Sequence, residues 1–190
     1  MTNDIKEVLF SEEKLKAKVQ ELGKKITEDY KGKQLILVGI LKGSVPFMAD
    51  LMKCVEMPCQ IDFMDVSSYG NSTESSGVVR ILKDLEFEVE GKDILIVEDI
   101  VDTGTTLEYL KRYLKAKKPN SVEVACLLNK PDRRKVEVEV KYEGFKVPDE
   151  FLVGYGLDYA EKYRNLPYIG ILKESVYKIG RAHVWTPVTR

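Results

Sequence analysis

The chain has 190 residues, with 30 Lys and Arg against 31 Asp and Glu, for a formal net charge of −1. That length suits one domain with a core that stands without staples, and the charge balance excludes a protein that holds nucleic acid by bulk electrostatics. Apolar residues make up 44% and charged residues 32%, a globular rather than a disordered composition, and no apolar run approaches the roughly 18 residues of a membrane span.

Met1-Thr2-Asn3-Asp4 is not a secretory start. Cys54, Cys59 and Cys126 are an odd number without a CxxC pair, so neither a disulfide framework nor a four-cysteine zinc site is available, and a cytoplasmic protein is expected.

In chain order, Ser11 can cap a helix whose first turn carries Glu12 and Glu13 at the positive dipole end. Leu15, Val19, Leu22 and Ile26 then recur at helical spacing. Gln34–Ile40 is a continuous apolar run of the kind found in a strand buried on both faces. The turn Leu41-Lys42-Gly43-Ser44 follows, and a helix with Pro46 in its first turn. A strand is expected at Gln60–Val66, then a polar stretch, Ser67–Gly77, too polar to bury and too long for a simple turn. Further strands are expected at Val78–Leu82, Asp93–Val97, Ser121–Leu128, Lys135–Tyr142 (where Val alternates with charge), Phe151–Val153 and Tyr168–Leu172. A helix after Gly104 carries Leu107, Leu110 and Leu114 on one side.

Strands alternating with helices imply an α/β fold: an open, mostly parallel twisted sheet with helices on both faces. A single domain over 1–178 is expected, with a small hood built from the chain ends. Residues 179–190, with the only His (His183) and the only Trp (Trp185), break the style of the rest. They resemble a translated adapter read-through and read as a non-native tail. Without His183 the chain has no histidine, which removes Ser-His and Cys-His catalysis.

The chemically informative segment is Ile96-Val97-Glu98-Asp99-Ile100-Val101-Asp102-Thr103-Gly104-Thr105-Thr106. Ligands of open parallel sheets bind beyond the carboxyl ends of the strands. Here an aliphatic strand ends in two carboxylates, and a Thr- and Gly-rich loop enters a helix whose free N–H groups suit a phosphate. Gly104 permits close backbone approach, and the hydroxyls of Thr103, Thr105 and Thr106 add donors. Glu98 and Asp99 suit vicinal hydroxyls. Phosphate at one end and a diol nearby describe a ribose 5-phosphate. Capping alone would explain one or two of these residues, not three acids and three threonines around one Gly.

Val97–Leu107 resembles the phosphoribosyl-diphosphate signature of the type I phosphoribosyltransferases. The chain from about Leu37 to Leu172 is similar to their 6-oxopurine salvage branch, the hypoxanthine phosphoribosyltransferases. The similarity includes Leu41-Lys42-Gly43-Ser44, the Ser68-Tyr69 loop, Lys130, and Phe151–Tyr159 followed by Arg164. It implies the type I phosphoribosyltransferase fold, a Mg2+ cofactor, and transfer of a 5-phosphoribosyl group to N9 of hypoxanthine or guanine, giving IMP or GMP and diphosphate. It further implies that Glu98 and Asp99 hold the ribose hydroxyls, partly through Mg2+, and that Asp102 is the general base. Residues Asp102, Thr103, Gly104, Thr105 and Thr106 would cradle the 5′-phosphate. Lys42, Gly43 and Arg164 would bind diphosphate, with a cis peptide between Leu41 and Lys42. Lys130, Phe151, Leu152 and Asp158 would face the purine, and Asp158 would also bind a second Mg2+. Ser68 and Tyr69 would belong to a lid that excludes water. The partners implied are phosphoribosyl diphosphate, a 6-oxopurine and further copies of the chain as a homodimer or homotetramer, with no nucleic acid and no membrane.

Base choice follows from polarity: Lys130 is donor-only, so it greets the O6 carbonyl of a 6-oxopurine and opposes the amino group of adenine. Two competing classes are a transferase for another base and a non-catalytic regulator that senses phosphoribosyl diphosphate. Lys130 and the Phe151 segment count against the first. The charge balance and the absence of an added helix-turn-helix pattern count against the second.

Overall fold

Strand β2 (Leu35–Leu41) is buried at every position but its last, as an apolar run with helices on both sides of its sheet must be. The computed structural model to which it belongs describes residues 1–68 and 79–178. β2 runs parallel to β3 (Cys59–Ser68) on one side and to β5 (Asp93–Val101) on the other. β6 (Ser121–Asn129) and β7 (Tyr142–Lys146) extend the sheet in parallel beyond β5, and β4 (Val79–Lys83) closes the other edge antiparallel to β3. The order is β4-β3-β2-β5-β6-β7.

The two-residue period of a strand divides the core. Leu35, Leu37, Leu95 and Val97 pack on one face against α1 (Glu12–Tyr30) and α2 (Val45–Cys54). Ile36, Val38, Ile94 and Ile96 pack on the other against Leu107, Leu110 and Leu114 of α3 (Thr105–Lys115). α1 begins where the sequence implies: Ser11 Oγ accepts from Lys14 N at 3.3 Å, with Glu12 and Glu13 in the first turn. Leu15, Val19, Leu22 and Ile26 are its buried stripe, each contributing about 1.5–3 kcal/mol of burial.

The chain ends build the hood: β1 (Ile5–Phe10), β9 (Ile169–Leu172) and β8 (Leu152–Val153) form a separate antiparallel sheet, followed by a short helix α4 (Glu174–Tyr177).

Three boundaries differ from the sequence expectations. Lys135–Tyr142 is not a strand; pairing with β6 starts only at Tyr142. Val138 and Val140 do turn toward the α3 core, which explains the alternation, but the backbone of this segment is held by the loop after β5, where Lys135 N and Val136 N both donate to Thr103 O (2.9 and 3.2 Å). β5 runs through Glu98 and Asp99 to Val101, because β6 pairs with it that far. Ser67 and Ser68 belong to β3, paired with Arg80 and Val79, rather than to the polar stretch. The remainder of that stretch from Tyr69, and the tail 179–190, lie outside the described residues.

Candidate active site

β2 leads through α2 to β3 on its left, whereas β5 leads through α3 to β6 on its right. The two crossovers depart in opposite directions, so a crevice opens between β2 and β5 at their carboxyl ends, the place where open α/β sheets bind ligands. The register records the opening. β2 and β5 pair only as far as Gly39 and Val97, while β2 follows β3 to Leu41 and β5 follows β6 to Val101.

A cleft of about 230 Å³ lies there, lined by Leu41, Glu98, Asp102, Thr103, Gly104 and Thr106 among others. Gly104 has φ +83°, and a Cβ on it would stand 2.5 Å from the Val136 carbonyl oxygen, so no side chain fits. Thr103 Oγ1 accepts from Thr105 N at 3.4 Å. The first backbone bond into α3 is Glu108 N to Gly104 O, which leaves the earlier amides of its first turn directed toward the loop.

Glu98 and Asp99 are consecutive in an extended strand and therefore leave it on opposite sides. Glu98 lines the cleft, and its Oε2 is sealed from solvent without a hydrogen-bond partner. Asp99 meets the Lys42-Gly43 turn instead: a Cβ on Gly43 would overlap its carboxylate. Asp99 Oδ1 accepts from Ile100 N at 2.7 Å. Burial pushes the Glu98 carboxyl well above its ordinary value, with the Asp99 charge adding to the shift. Burial also raises Asp99 to about 6, opposed by backbone hydrogen bonds and by Arg164. Two adjacent acids short of positive charge suit a hard divalent cation or sugar hydroxyls.

The Leu41–Lys42 peptide is cis. Lys42 Nζ lies 3.2 Å from Glu161 Oε2. Arg164 donates from Nη1 to the Gly156 carbonyl (2.7 Å), and its Nη2 meets Asp158 Oδ1 (3.0 Å) and Glu161 Oε1 (3.3 Å). Lys42 and then Arg164 hold the Glu161 carboxyl below its ordinary value. Asp158 Oδ2 accepts from Glu161 N at 2.8 Å, so Asp158 joins the Lys42–Arg164 group. Gly156, at φ +101°, presses its backbone so closely on the Gly43 carbonyl oxygen that a Cβ there would overlap it. Gly43 is thus held between Asp99 and Gly156.

On the far side of the crevice, Lys130 is buried, and its Nζ donates to the Glu150 carbonyl at 2.9 Å and stands 3.6 Å from Asp149 Oδ1. Its backbone N donates to Val101 O, which ties it to the end of β5. Asp102 Oδ1 faces Arg133 Nε at 3.3 Å. Phe151 is half-buried, stacked on Tyr177 (centroids 4.9 Å) and edge-on to Tyr159 (5.5 Å). Leu152 is buried within β8. Ser68 closes β3, and Tyr69 lies outside the described residues.

The sequence reading did not single out Arg133, Gly156 or Glu161. Gly156 lies inside the Phe151–Tyr159 stretch without a marked role of its own; Arg133 meets Asp102, and Glu161 meets Lys42, only across the fold, although Glu161 also pairs with its near neighbours Asp158 and Arg164.

A profile of the Phosphoribosyl transferase domain matches residues 7–160. The chain is 58% identical to the hypoxanthine-guanine phosphoribosyltransferase of Staphylococcus aureus (strain Mu50), over 93% of this chain and 99% of that protein. It is 57% identical to the bifunctional protein TilS/HprT of Listeria monocytogenes, again over 93% of this chain but spanning only 27% of that longer relative. A crystal structure of a hypoxanthine phosphoribosyltransferase from Staphylococcus aureus superposes with a TM-score of 0.91 at 58% identity, covering 93% of this chain and 96% of that one. The family profile covers most of the chain and the relatives match it nearly end to end, so the chain belongs to the phosphoribosyl transferase family.

Proposed function

We propose that this chain transfers the 5-phosphoribosyl group from phosphoribosyl diphosphate to N9 of hypoxanthine or guanine, releasing IMP or GMP and diphosphate. One observation carries the reading. Around the carboxyl ends of β2 and β5 stand the Thr- and Gly-rich start of α3, the Glu98 carboxyl with its unpartnered Oε2, Asp99 against the Lys42-Gly43 turn, and the buried Lys130 just beyond β6. The relatives named for hypoxanthine and guanine support the choice of base.

Residues Asp102 to Thr106 hold the 5′-phosphate by backbone N–H groups and threonine hydroxyls. Glu98 and Asp99 would take the ribose hydroxyls, partly through Mg2+, and Asp158 would help to hold a second Mg2+. The fit of Mg2+ rests on the unpartnered Glu98 Oε2 and the raised Asp99 carboxyl, since this ion binds through one or two carboxylates together with substrate oxygens. When bound, Mg2+ neutralises the charge of the departing diphosphate. Lys42, the Gly43 amide and Arg164 stabilise that same charge from the other side. The carboxylates favour the cation-like ribosyl centre. Asp102 accepts the purine proton as the base attacks. Phe151 stacks on the ring, and Lys130 donates to O6. The Ser68-Tyr69 segment is the lid that excludes water.

The assignment takes 1–178 as one domain. The free thiols of Cys54, Cys59 and Cys126 accord with a cytoplasmic setting, and no helix among the described residues is long and apolar enough to cross a membrane.

The test supplies phosphoribosyl diphosphate and Mg2+ with hypoxanthine, guanine, xanthine or adenine, one at a time. Turnover of 6-oxopurines with adenine inert is expected. Replacing Lys130 by Met removes the O6 donor and leaves the Glu150 carbonyl without it. A drop of order a hundredfold or more in kcat/KM for hypoxanthine is expected, with little change for adenine. Adenine turnover by the unaltered protein would sink the base assignment.

A further inference from the structure

Lys42 and Arg164, the two cations assigned to diphosphate, share one carboxylate. Glu161 Oε2 is 3.2 Å from Lys42 Nζ and Oε1 is 3.3 Å from Arg164 Nη2, so its two oxygens bridge the two cations. Such bridging is what a diphosphate group would itself do. The other members of the cluster are built in more firmly. Asp158 and Arg164 are about a quarter exposed and pair at 3.0 Å, and Arg164 is also bound to the Gly156 carbonyl. Lys42 and Glu161, by contrast, are 64% and 66% exposed, so water screens their attraction and parting them costs little. The local backbone is unusual, with Ala160 and Tyr163 also at positive φ. Glu161 sits at φ +62°, where Gly, Asn or Asp are favoured and Glu is not. Its amide is fixed by Asp158 Oδ2, which aims the side chain at Lys42.

We propose that Glu161 is an internal competitor for the diphosphate site, occupying Lys42 and Arg164 until a diphosphate group displaces it. The proposal rests on the transferase reading above and concerns its regulation. Every ligand that binds through diphosphate must break the same two ion pairs. The empty site is then kept neutral toward stray anions, and the leaving diphosphate is replaced by a group already tethered beside it.

The direct test measures binding of inorganic diphosphate with Mg2+ by titration calorimetry to the unaltered protein, Glu161→Gln and Glu161→Ala, with Glu21→Gln as a control. Glu21 makes an equivalent exposed pair of ion contacts, to Lys18 and Lys25, on α1. Both Glu161 variants are expected to bind diphosphate roughly three- to tenfold more tightly at low salt. The gain should narrow as salt screens the pairs, and Glu21→Gln should leave the affinity unchanged. Thermal melts confirm that each variant is folded. Equal or weaker binding by folded Glu161→Gln and Glu161→Ala overturns the competitor role, as does an equal gain in Glu21→Gln. Those results leave the transferase reading standing if the unaltered protein still binds diphosphate. Failure of the unaltered protein to bind it at all overturns both.

Discussion

Arg133 Nε stands 3.3 Å from Asp102 Oδ1, while its Nη1 lies 3.8 Å from Asp149 Oδ1. Asp149 in turn is 3.6 Å from the buried Lys130 ammonium. The residue assigned as general base and the residue assigned to the purine O6 are therefore linked through one guanidinium and one carboxylate. Arg133 lies in the segment that follows β6, two hydrogen bonds of which are accepted by Thr103.

The roles of Asp102 and Arg133 separate by magnitude. Asp102→Asn keeps the size of the side chain and removes the proton acceptor. It should lower kcat by about 10²–10⁴ while phosphoribosyl diphosphate binding is nearly unchanged. Arg133→Ala removes an exposed partner worth about 0.2–1 kcal/mol and should cost only about two- to fivefold in kcat/KM for the base. Steady-state kinetics with direct binding measurements distinguish them; loss of binding with intact turnover in Asp102→Asn would contradict the general-base role.

Gly156→Ala tests the support beneath the Lys42-Gly43 turn, to which we assign diphosphate. The backbone at φ +101° is strained for any side chain, and the added methyl would overlap the Gly43 carbonyl oxygen. A stability loss of about 1–3 kcal/mol is expected, read as a lower urea midpoint. Activity should fall further than stability explains, because Gly43 itself must move. A variant as stable and as active as the parent would show that this close approach is dispensable.

The raised Asp99 carboxyl has a definite pH signature. Its value in the folded chain is about 6 against an ordinary 3.8, so between these values the native state binds more protons than the unfolded one. By linkage, the contribution of this group to stability is fully present below about 3.8 and is lost as pH rises through about 6. Asp99→Asn should remove that slope and melt higher than the parent at pH 7 without Mg2+. The same variant should lose most turnover, a trade of stability for function expected at a charged site. Mg2+ with phosphoribosyl diphosphate should raise the parent's melting temperature more than the variant's. Melting curves across pH 4–8 decide it; a variant that melts lower at pH 7 would refute the account.

The parts legible in the sequence were those written in neighbouring residues. Leu35–Ile40 and Ile94–Val97 announce central strands because both sheet faces are covered, so no polar side chain interrupts them. Ser11 with Glu12 and Glu13 announces a helix start for equally local reasons. The Asp102–Thr106 loop, to which we assign the 5′-phosphate, is legible because such a site at a helix N-terminus would be made of consecutive amides and hydroxyls. The alternating valines of 135–142 misled because Val138 and Val140 gain their partial burial from packing on the α3 side without a sheet partner, while Val136 is exposed.

Only the tertiary structure decided what meets across the crevice. It set β2 beside β5, and so made the Lys42-Gly43 turn a neighbour of Asp99. It also brought Gly156 onto Gly43, Glu161 onto Lys42 and Arg133 onto Asp102. Each pair joins segments far apart in the chain, and no local pattern encodes which distant backbone will approach. The chemistry of single loops was therefore determined by the sequence, while the charge balance of the assembled site was determined by packing.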